Sequence, residues 1–163
     1  MFIERQGCAL VHHAYELINE DGTCRNIVRR PPAKSGYRDI LSRCAIGCLS
    51  AMYDRERCGL IEMPDIKRRQ DHGLWLRILR MGHEAAGNDE NLAAYRLRRN
   101  SVSSNKLRAA WYEWRLFRDV EQLSLATASK VFLSYAWWHL AGTGLQHPIE
   151  ERDRAFRPNK GKA

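Results

Sequence analysis

The sequence lacks the short motifs that identify several large classes of protein. It contains no G-x-G-x-x-G and no G-K-[ST], so neither a dinucleotide-binding turn nor a P-loop is predicted. Its five cysteines are an odd number without C-x-x-C spacing, which argues against a zinc site and a disulfide framework. The first residues carry charges where a secretory signal peptide needs an apolar core. We therefore expect reduced thiols in a cytoplasmic protein.

What is present is a globular composition with an uneven charge. The chain has 163 residues, of which 44% are hydrophobic and 28% charged, and this suits one soluble domain with its own core. The formal charge is +8, and residues 67–118 hold 12 Lys/Arg against 5 Asp/Glu, a net of +7. A concentrated positive field favours anionic partners, namely nucleotide diphosphates, nucleic acid or an anionic membrane surface.

The order of predicted elements is that of an α/β protein, with strands in the first half and long helices in the second. Residues 8–18 and 23–30 predict a β-hairpin around Asp21-Gly22, a pair that tolerates positive φ. The prolines and the glycine of residues 30–39 predict a loop, and the apolar residues 44–53 predict a strand buried inside a sheet.

The second half is predicted to be mainly helical. Residues 71–82 have a helical apolar period that ends at a glycine, and residues 83–99 suggest a strand, a turn and a second strand. Ser103 or Ser104 can cap a helix whose apolar side includes Leu107, Trp111 and Phe117. A third, largely apolar helix is predicted over residues 124–140. Lys130 and His139 within it and the break at Gly142 after it argue against a helix that spans a membrane, and a helix that lies at the membrane surface is an alternative to a core helix.

The segment RRQDHGLWLRILRMG, residues 68–82, contains the first candidate site. Asp71 has two compatible interpretations. It can cap the helix, since Asp accepts backbone N–H bonds and suits the positive end of the helix dipole. It can also be a carboxylate that the helix holds still beside Arg68 and Arg69, ready to take a proton from a substrate hydroxyl.

A second candidate site follows the predicted strand that contains Tyr95. Arg96, Arg98 and the nearby Ser101 offer charged and polar donors within six residues. The forked guanidinium group matches the oxygens of a diphosphate, and its charge strengthens each bond. The alternative is a solvated, basic strand end that binds nothing.

Four segments in this order resemble the C-terminal, acceptor-side half of bacterial family 2 glycosyltransferases of the GT-A fold. They are AYELINEDG, IGCLSAMYDR, MPDIKRRQDHGLWLRILRMG and NLAAYRLRRNSVSSNKLRAAWYEWRLFR. The resemblance covers residues 8–120, and its last two segments are the most specific. It implies a partial GT-A (nucleotide-diphospho-sugar transferase-like) fold, with residues 1–122 as the acceptor-side half, 123–145 as an apolar helix and 146–163 as a disordered basic tail.

The resemblance also implies an inverting transfer from a nucleotide-sugar donor to a surface-polysaccharide or lipid-linked acceptor. Asp71 matches the catalytic base of the family, and Arg69 and Gln70 line the same cleft. Arg96, Arg98 and Ser101 lie where the family contacts the donor diphosphate. Arg98 replaces a histidine of many relatives, which removes a possible metal ligand.

The family also implies a divalent metal, Mg²⁺ or Mn²⁺, but this chain contains no D-x-D motif to hold it. The donor-binding half of the family is likewise not found in the sequence, so a partner chain that supplies it is expected. We expect a peripheral location at the inner face of the plasma membrane. Without the neighbouring strands, a sheet edge and an apolar surface should be exposed and should promote self-association or partner binding.

A second hypothesis comes from the charge alone. A non-catalytic basic module could bind nucleic acid or an anionic membrane through arginines interleaved with aromatic residues. The glycosyltransferase hypothesis is preferred to this one, because a phosphate-binding surface gains nothing from a carboxylate at Asp71, and nucleic acid is the less expected partner.

Overall fold

The computed structural model describes residues 7–98, 106–140, 146–148 and 150. It has the expected mixed α/β architecture, a curled sheet followed by helices. The strands are β1 (Leu10–Ile18), β2 (Cys24–Arg29), β3 (Lys34–Ser35), β4 (Ala51–Tyr53), β5 (Ala85–Arg96) and β6 (Gln146–Pro148). The helices are α1 (Tyr37–Arg43), α2 (Arg55–Cys58), α3 (Gln70–Arg80), α4 (Lys106–Arg115) and α5 (Leu125–Leu140), with a 3₁₀ turn at Cys48–Ser50 and a π-helical turn at Leu116–Val120.

The first two strands form the predicted hairpin. They are antiparallel, with Ile18 opposite Cys24. Gly22 has a φ of +86°, and the carboxylate of Asp21 accepts hydrogen bonds from the backbone and the hydroxyl of Thr23. The Asp-Gly pair therefore makes the turn by the mechanism that its sequence predicts.

Strand β1 is the centre of the sheet. The described strands follow the order β3-β5-β1-β2-β6, and β4 pairs with the beginning of β1 on the side where β2 pairs with its end. The pair β1–β5 is parallel, whereas all the other pairs are antiparallel. Strand β6 lies within residues 146–163, so these three residues are not part of a disordered tail.

The strand-turn-strand prediction for residues 83–99 is wrong, because β5 is one long strand. The residues expected to turn form a bulge instead. His13 pairs with Asn88, Ala14 with Asn91 and Tyr15 with Ala93, so three residues of β5 have no counterpart on β1. A bulge accommodates polar residues that would otherwise interrupt the ladder, and it bends the strand without ending it.

The predicted strand at residues 44–53 is also wrong. Cys44 ends α1 with a φ of +46°, a 3₁₀ turn follows, and only the three residues of β4 pair, with β1 alone. The left-handed backbone of Cys44 and the 3₁₀ turn interrupt the extended conformation that the apolar composition suggested. The predicted loop at residues 30–39 contains β3 and the first residues of α1, so it is more regular than expected.

The helices of the second half follow the prediction more closely. Helix α3 starts one residue before Asp71, and Gly82 follows its end with a φ of +91°. Helix α5 begins directly after Ser124, whose hydroxyl accepts the backbone N–H of Thr127 as a cap. The proposed caps of α4, Ser103 and Ser104, lie outside the described residues.

Only part of the apolar side predicted for α4 and the turn after it is buried. Phe117, in the π-helical turn, is buried, but Leu107 is 87% exposed and Trp111 is 60% exposed. Leu133 and Trp137 of α5 are each 70% exposed. An apolar surface is therefore present, as expected, while its effect on self-association stays a prediction. Within the described residues no helix has the length and apolar character needed to cross a membrane.

The core lies between the sheet and α3. The buried residues of α3 include Leu74, Trp75, Leu76, Ile78 and Leu79. They pack with Leu10 of β1, Ile40 of α1 and Phe117 after α4. A β-carbon added to Gly73 would lie 2.5 Å from Pro64 and 3.1 Å from Leu116, so the helix approaches its neighbours as closely as a glycine permits.

Gly87 provides a test of the packing between β5 and the segment before β3. A β-carbon there would lie 2.1 Å from the carbonyl oxygen of Pro32, which is backbone and cannot rotate away. We expect Gly87→Ala to lower the free energy of unfolding by about 2 kcal/mol or more in chemical denaturation. Gly36→Ala is the control, because its nearest neighbour would be at 3.8 Å. Equal stability of Gly87→Ala and the wild type would contradict this packing.

The buried His12 of β1 makes the fold sensitive to acid. Its side chain is 2% exposed, and its Nε2 atom has no hydrogen-bond partner among the described residues. Burial, and to a lesser extent the neighbouring His13, lower the pKa of His12 from 6.5 to about 4. Between pH 6.5 and about pH 4, His12 is therefore protonated in the unfolded chain but not in the folded chain.

We predict that stability falls as the pH is lowered from 6.5 to 4 and that His12 supplies much of this slope. The contribution is about 3 kcal/mol at 1.36 kcal/mol per pH unit. His12→Gln, which does not titrate, should reduce the slope in urea titrations at pH 7, 5.5 and 4.5. An unchanged slope in this variant would show that another group is responsible.

Candidate functional site

The first turn of α3 holds the candidate carboxylate. Arg69 precedes the helix with a φ of +66°, so it occupies the N-cap position, Gln70 is the first helical residue and Asp71 is the second. The prediction that Asp71 caps the helix is therefore wrong by two positions. Asp71 is half-buried, and its Oδ1 accepts the backbone N–H of His72 at 2.9 Å. A carboxylate in the first turn is favoured by the helix dipole.

A buried carboxylate on α4 fixes this turn. The side chain of Glu113 is 0% exposed, with Oε2 2.8 Å from Nε of Arg69 and Oε1 2.7 Å from Nδ1 of His72. Nη2 of Arg69 also donates to the hydroxyl of Tyr135 on α5 at 2.5 Å. We call Arg69, His72, Glu113 and Tyr135 the Glu113 network. Its two cationic residues lie on either side of Gln70-Asp71, so the network fixes the backbone on both sides of the candidate base.

His72 carries a positive charge inside the protein. Its Nε2 donates to the carbonyl oxygen of Ile40 at 2.9 Å, and its Nδ1 faces Glu113. Burial by itself would lower the pKa of His72, but the interactions with Cys44 and Glu113 raise the pKa well above 6.5. An imidazolium can donate from both nitrogens, which is what this pair of acceptors requires.

A charged residue of the Glu113 network, Arg69, also interacts electrostatically with Asp71. Burial opposes the charged form of Arg69, but Glu113 in the first place, with Asp71 among other groups, raises the pKa of Arg69. Burial and then Glu113 raise the pKa of the Tyr135 hydroxyl, so Tyr135 is a neutral hydrogen-bonding group. Two cations and one carboxylate leave the network with an excess positive charge next to Asp71, which is favourable for an anion at that place.

The segment after α1 lies between Asp71 and the sheet. Burial, and in addition the charge of Asp71, raise the pKa of Cys48. Gly47, next to Cys48, lies against the Tyr15 side chain of β1, and the Tyr15 ring is 6.0 Å from that of Tyr95 on β5. Residues 47 and 48 thus lie near both the candidate base and Tyr15 of the sheet, whose ring lies beside that of Tyr95.

The residues of the second candidate site lie elsewhere. Arg96 ends β5, and its Nη1 donates to the carbonyl oxygen of Glu20 in the β1–β2 turn at 2.6 Å. Arg98 is exposed two residues later, and Ser101 lies outside the described residues. The structure therefore brings Arg69, Gln70 and Asp71 together in one turn. Among the described residues no contact joins that turn to Arg96 or Arg98, so a cleft shared by the two groups stays a prediction.

A basic groove opens beside the start of α3. It encloses about 490 Å³ and is lined by Lys67, Arg68, Arg108, Trp111 and Tyr112. The guanidinium of Arg68 lies 5.8 Å from the centroid of the Tyr112 ring, within reach of a cation–π interaction. Lys67 and Arg108 are exposed, so their charges face solvent.

Comparison with known proteins identifies the family of the chain. Over 135 residues it is 42% identical to TuaG of Bacillus subtilis, whose name describes a teichuronic acid biosynthesis glycosyltransferase, and the match covers 83% of this chain and 54% of TuaG. The chain belongs to a family of bacterial glycosyltransferases. The resemblance found in the sequence is thereby confirmed, whereas the GT-A arrangement stays an expectation.

Two Escherichia coli proteins are also similar to this chain. Both are named UDP-Glc:α-D-GlcNAc-diphosphoundecaprenol β-1,3-glucosyltransferase. WfgD is 30% identical over 123 residues, which are 75% of this chain and 47% of WfgD. WfaP is 32% identical over 91 residues, which are 56% of this chain and 36% of WfaP. The chain spans about half the length of TuaG and WfgD. No protein-family profile and no solved structure matches it.

A divalent metal is common among glycosyltransferases, but the part of the chain that the structure describes does not fit one. No group of three or more His, Cys, Asp or Glu side chains is arranged there to hold a metal ion. The acidic groups near α3 interact with cationic side chains instead. Glu113 faces Arg69 and His72, and Asp71 lies beside Arg69.

Sequence reasoning missed three members of the network: His72, Glu113 and Tyr135. One signal could have revealed Glu113. It lies three or four positions from Ala109, Ala110, Leu116 and Phe117, so it is an acidic residue on a stripe of apolar ones. A buried acid needs a cationic partner, and only the tertiary structure shows that the partners precede and follow Asp71.

The Glu113 network predicts a large effect of a nearly isosteric substitution. Glu113→Gln leaves the buried His72 and the partly buried Arg69 facing an uncharged amide, so we expect a loss of about 3–5 kcal/mol in the free energy of unfolding, measured by urea titration. Asp119→Asn is the control, because its ion pair with Arg115 at 2.7 Å is exposed and should contribute at most about 1 kcal/mol. Similar losses in the two variants would contradict the role assigned to Glu113.

Proposed function

We propose that this chain forms the acceptor-side part of an inverting glycosyltransferase, in which Asp71 is the general base. The observation that carries the proposal is the position of Asp71 between two residues that Glu113 holds. Arg69 and His72 are both paired with one fully buried carboxylate, so the backbone between them has little freedom. A general base must be held within hydrogen-bond reach of the proton it removes, and such rigidity supports that task.

The reaction that this arrangement supports is a single displacement. An acceptor hydroxyl attacks the anomeric carbon of a nucleotide-activated sugar, and the new C–O bond forms as the bond to the nucleotide diphosphate breaks. The hydroxyl proton passes to the carboxylate of Asp71, and the nucleotide diphosphate leaves with the electron pair. Attack from the opposite face inverts the anomeric centre.

The relatives support the substrate classes. WfgD and WfaP are named for a UDP-Glc donor and a GlcNAc-diphosphoundecaprenol acceptor, and TuaG for teichuronic acid biosynthesis. We infer a nucleotide-sugar donor and a lipid-linked or polysaccharide acceptor for this chain. Gln70, which is exposed beside Asp71, is our candidate for contact with the acceptor, while Arg96, Arg98 and Ser101 stay our candidates for the donor diphosphate.

The acceptor class implies where the protein works. A lipid-linked acceptor would place it at the inner face of the plasma membrane, as a peripheral protein, and the exposed Trp111 and Trp137 suit that location. The donor-binding part can come from a partner chain. The basic groove also favours a second candidate function, binding of an anionic membrane without catalysis, which would need no carboxylate at position 71.

Asp71→Asn tests the proposed base. Because Asp71 is not the N-cap, Asn should preserve α3 and cost at most about 1 kcal/mol of stability through the weaker interaction with the helix dipole, but it cannot accept the acceptor's proton. We expect the transfer rate to fall by a factor on the order of 10² or more. The match covers 54% of TuaG, so sugar transfer is measured with this chain alone and fused to the part of TuaG that it does not cover.

The matched control is Asp65→Asn, which removes an exposed carboxylate from the same segment. It should keep both the rate and the stability. Transfer by the Asp71→Asn protein at a rate near that of the wild type would rule out the catalytic assignment. A melting temperature lowered in parallel with the rate would instead make Asp71 a structural residue.

A further inference from the structure

We propose that the basic groove binds the diphosphate of a lipid-linked acceptor and that the apolar side chains beside it contact the lipid. This inference rests on the proposed function, since it concerns the acceptor of the same reaction. It assigns to Lys67, Arg68 and Arg108 a substrate-binding role that neither the sequence motifs nor the network around Glu113 required.

The position of the groove is the first argument. Lys67 and Arg68 belong to the segment that leads into α3, and only three peptide steps separate Arg68 from Asp71. Their Cα atoms can be at most about 11 Å apart. In an acceptor whose sugar is attached directly to a diphosphate, a single sugar ring lies between the reacting hydroxyl and the phosphates. A hydroxyl beside Asp71 would therefore place the diphosphate within reach of Arg68.

The chemistry of the lining is the second argument. Of the five described residues that line the groove, three are cations and none is acidic. Two of the cations are arginines, whose forked donors match phosphate oxygens. They come from different elements, Arg68 from the segment before α3 and Arg108 from α4, so the groove presents charge from both of its sides.

The apolar flank decides which diphosphate the groove would bind. Trp111 lines the groove and is 60% exposed, and Leu107, one turn earlier on α4, is 87% exposed. A nucleotide sugar has no hydrocarbon chain to cover such side chains, whereas a polyprenyl lipid has one. An exposed tryptophan beside cations is also the composition of a membrane interface. These features favour the lipid-linked acceptor over the donor.

Vesicle binding tests the proposal with the 163-residue chain and without any sugar donor. Phosphatidylcholine vesicles that contain a polyprenyl diphosphate are compared with vesicles of equal surface charge that contain phosphatidylglycerol. We expect tighter binding to the first kind. Arg68→Gln and Arg108→Gln should each weaken that binding by about fivefold to tenfold. Arg25→Gln, which removes the same charge from an exposed position on β2, should leave it unchanged.

Three results would overturn the assignment. Equal binding to the two kinds of vesicle would show general attraction to an anionic membrane. Displacement of the vesicles by free UDP, sensitive to Arg68→Gln, would make the groove a donor site. Equal binding by the Arg68→Gln, Arg108→Gln and Arg25→Gln proteins would place the lipid elsewhere.

The sugar-transfer assay separates this proposal from the proposed function. If the fused enzyme transfers sugar but the Arg68→Gln/Arg108→Gln protein keeps the wild-type KM for the lipid acceptor, the groove assignment fails and the function stands. If no protein transfers sugar, the proposed function fails, while the comparison of vesicles still decides what the groove binds.

Discussion

The pairing of one buried carboxylate with two cations is the constraint on which the site depends. Glu113 is inaccessible to solvent, and both of its oxygens face cations from the start of α3. Buried charges of this kind are tolerated only in a narrow geometry, because any displacement leaves one of them desolvated and unpaired. Helix α3 therefore cannot shift along α4 by even a fraction of a turn without a large loss of electrostatic energy.

The other end of α3 is held in the same way. Arg80, its last residue, forms an ion pair with Glu121, whose side chain is 1% exposed and also accepts a hydrogen bond from Tyr37 at 2.5 Å. The π-helical turn lies between Glu113 and Glu121, and it contributes the buried Leu116 and Phe117 to the core. A π-helical turn changes the direction of the side chains that follow it. This allows one continuous segment to present a carboxylate to each end of the same helix.

The sequence predicted the elements that depend on local chemistry. The Asp21-Gly22 hairpin and helix α3 could be found because turn residues and a helical apolar period act within a few positions of each other. The site was predicted only in part for the same reason: Asp71 and its neighbours are contiguous, whereas Glu113 and Tyr135 reach them through the tertiary fold. The strand predicted at residues 44–53 failed because apolar composition reports burial and not conformation, and Cys44 has a left-handed backbone there. The bulge in β5 was predicted as a turn, because bulges and turns both contain polar residues that do not pair with the neighbouring strand.

The parallel pairing of β1 with β5 has a consequence for how the chain folds. Leu10 lies opposite Ala85, so this pairing closes a loop that contains strands β2, β3 and β4 and helices α1, α2 and α3. Such contacts are far apart along the chain and form slowly, whereas the β1–β2 hairpin is local and forms early. Until β5 arrives, one edge of β1 exposes unpaired backbone groups next to apolar side chains. A newly made chain therefore passes through a stage that is prone to aggregation before this non-local pairing forms.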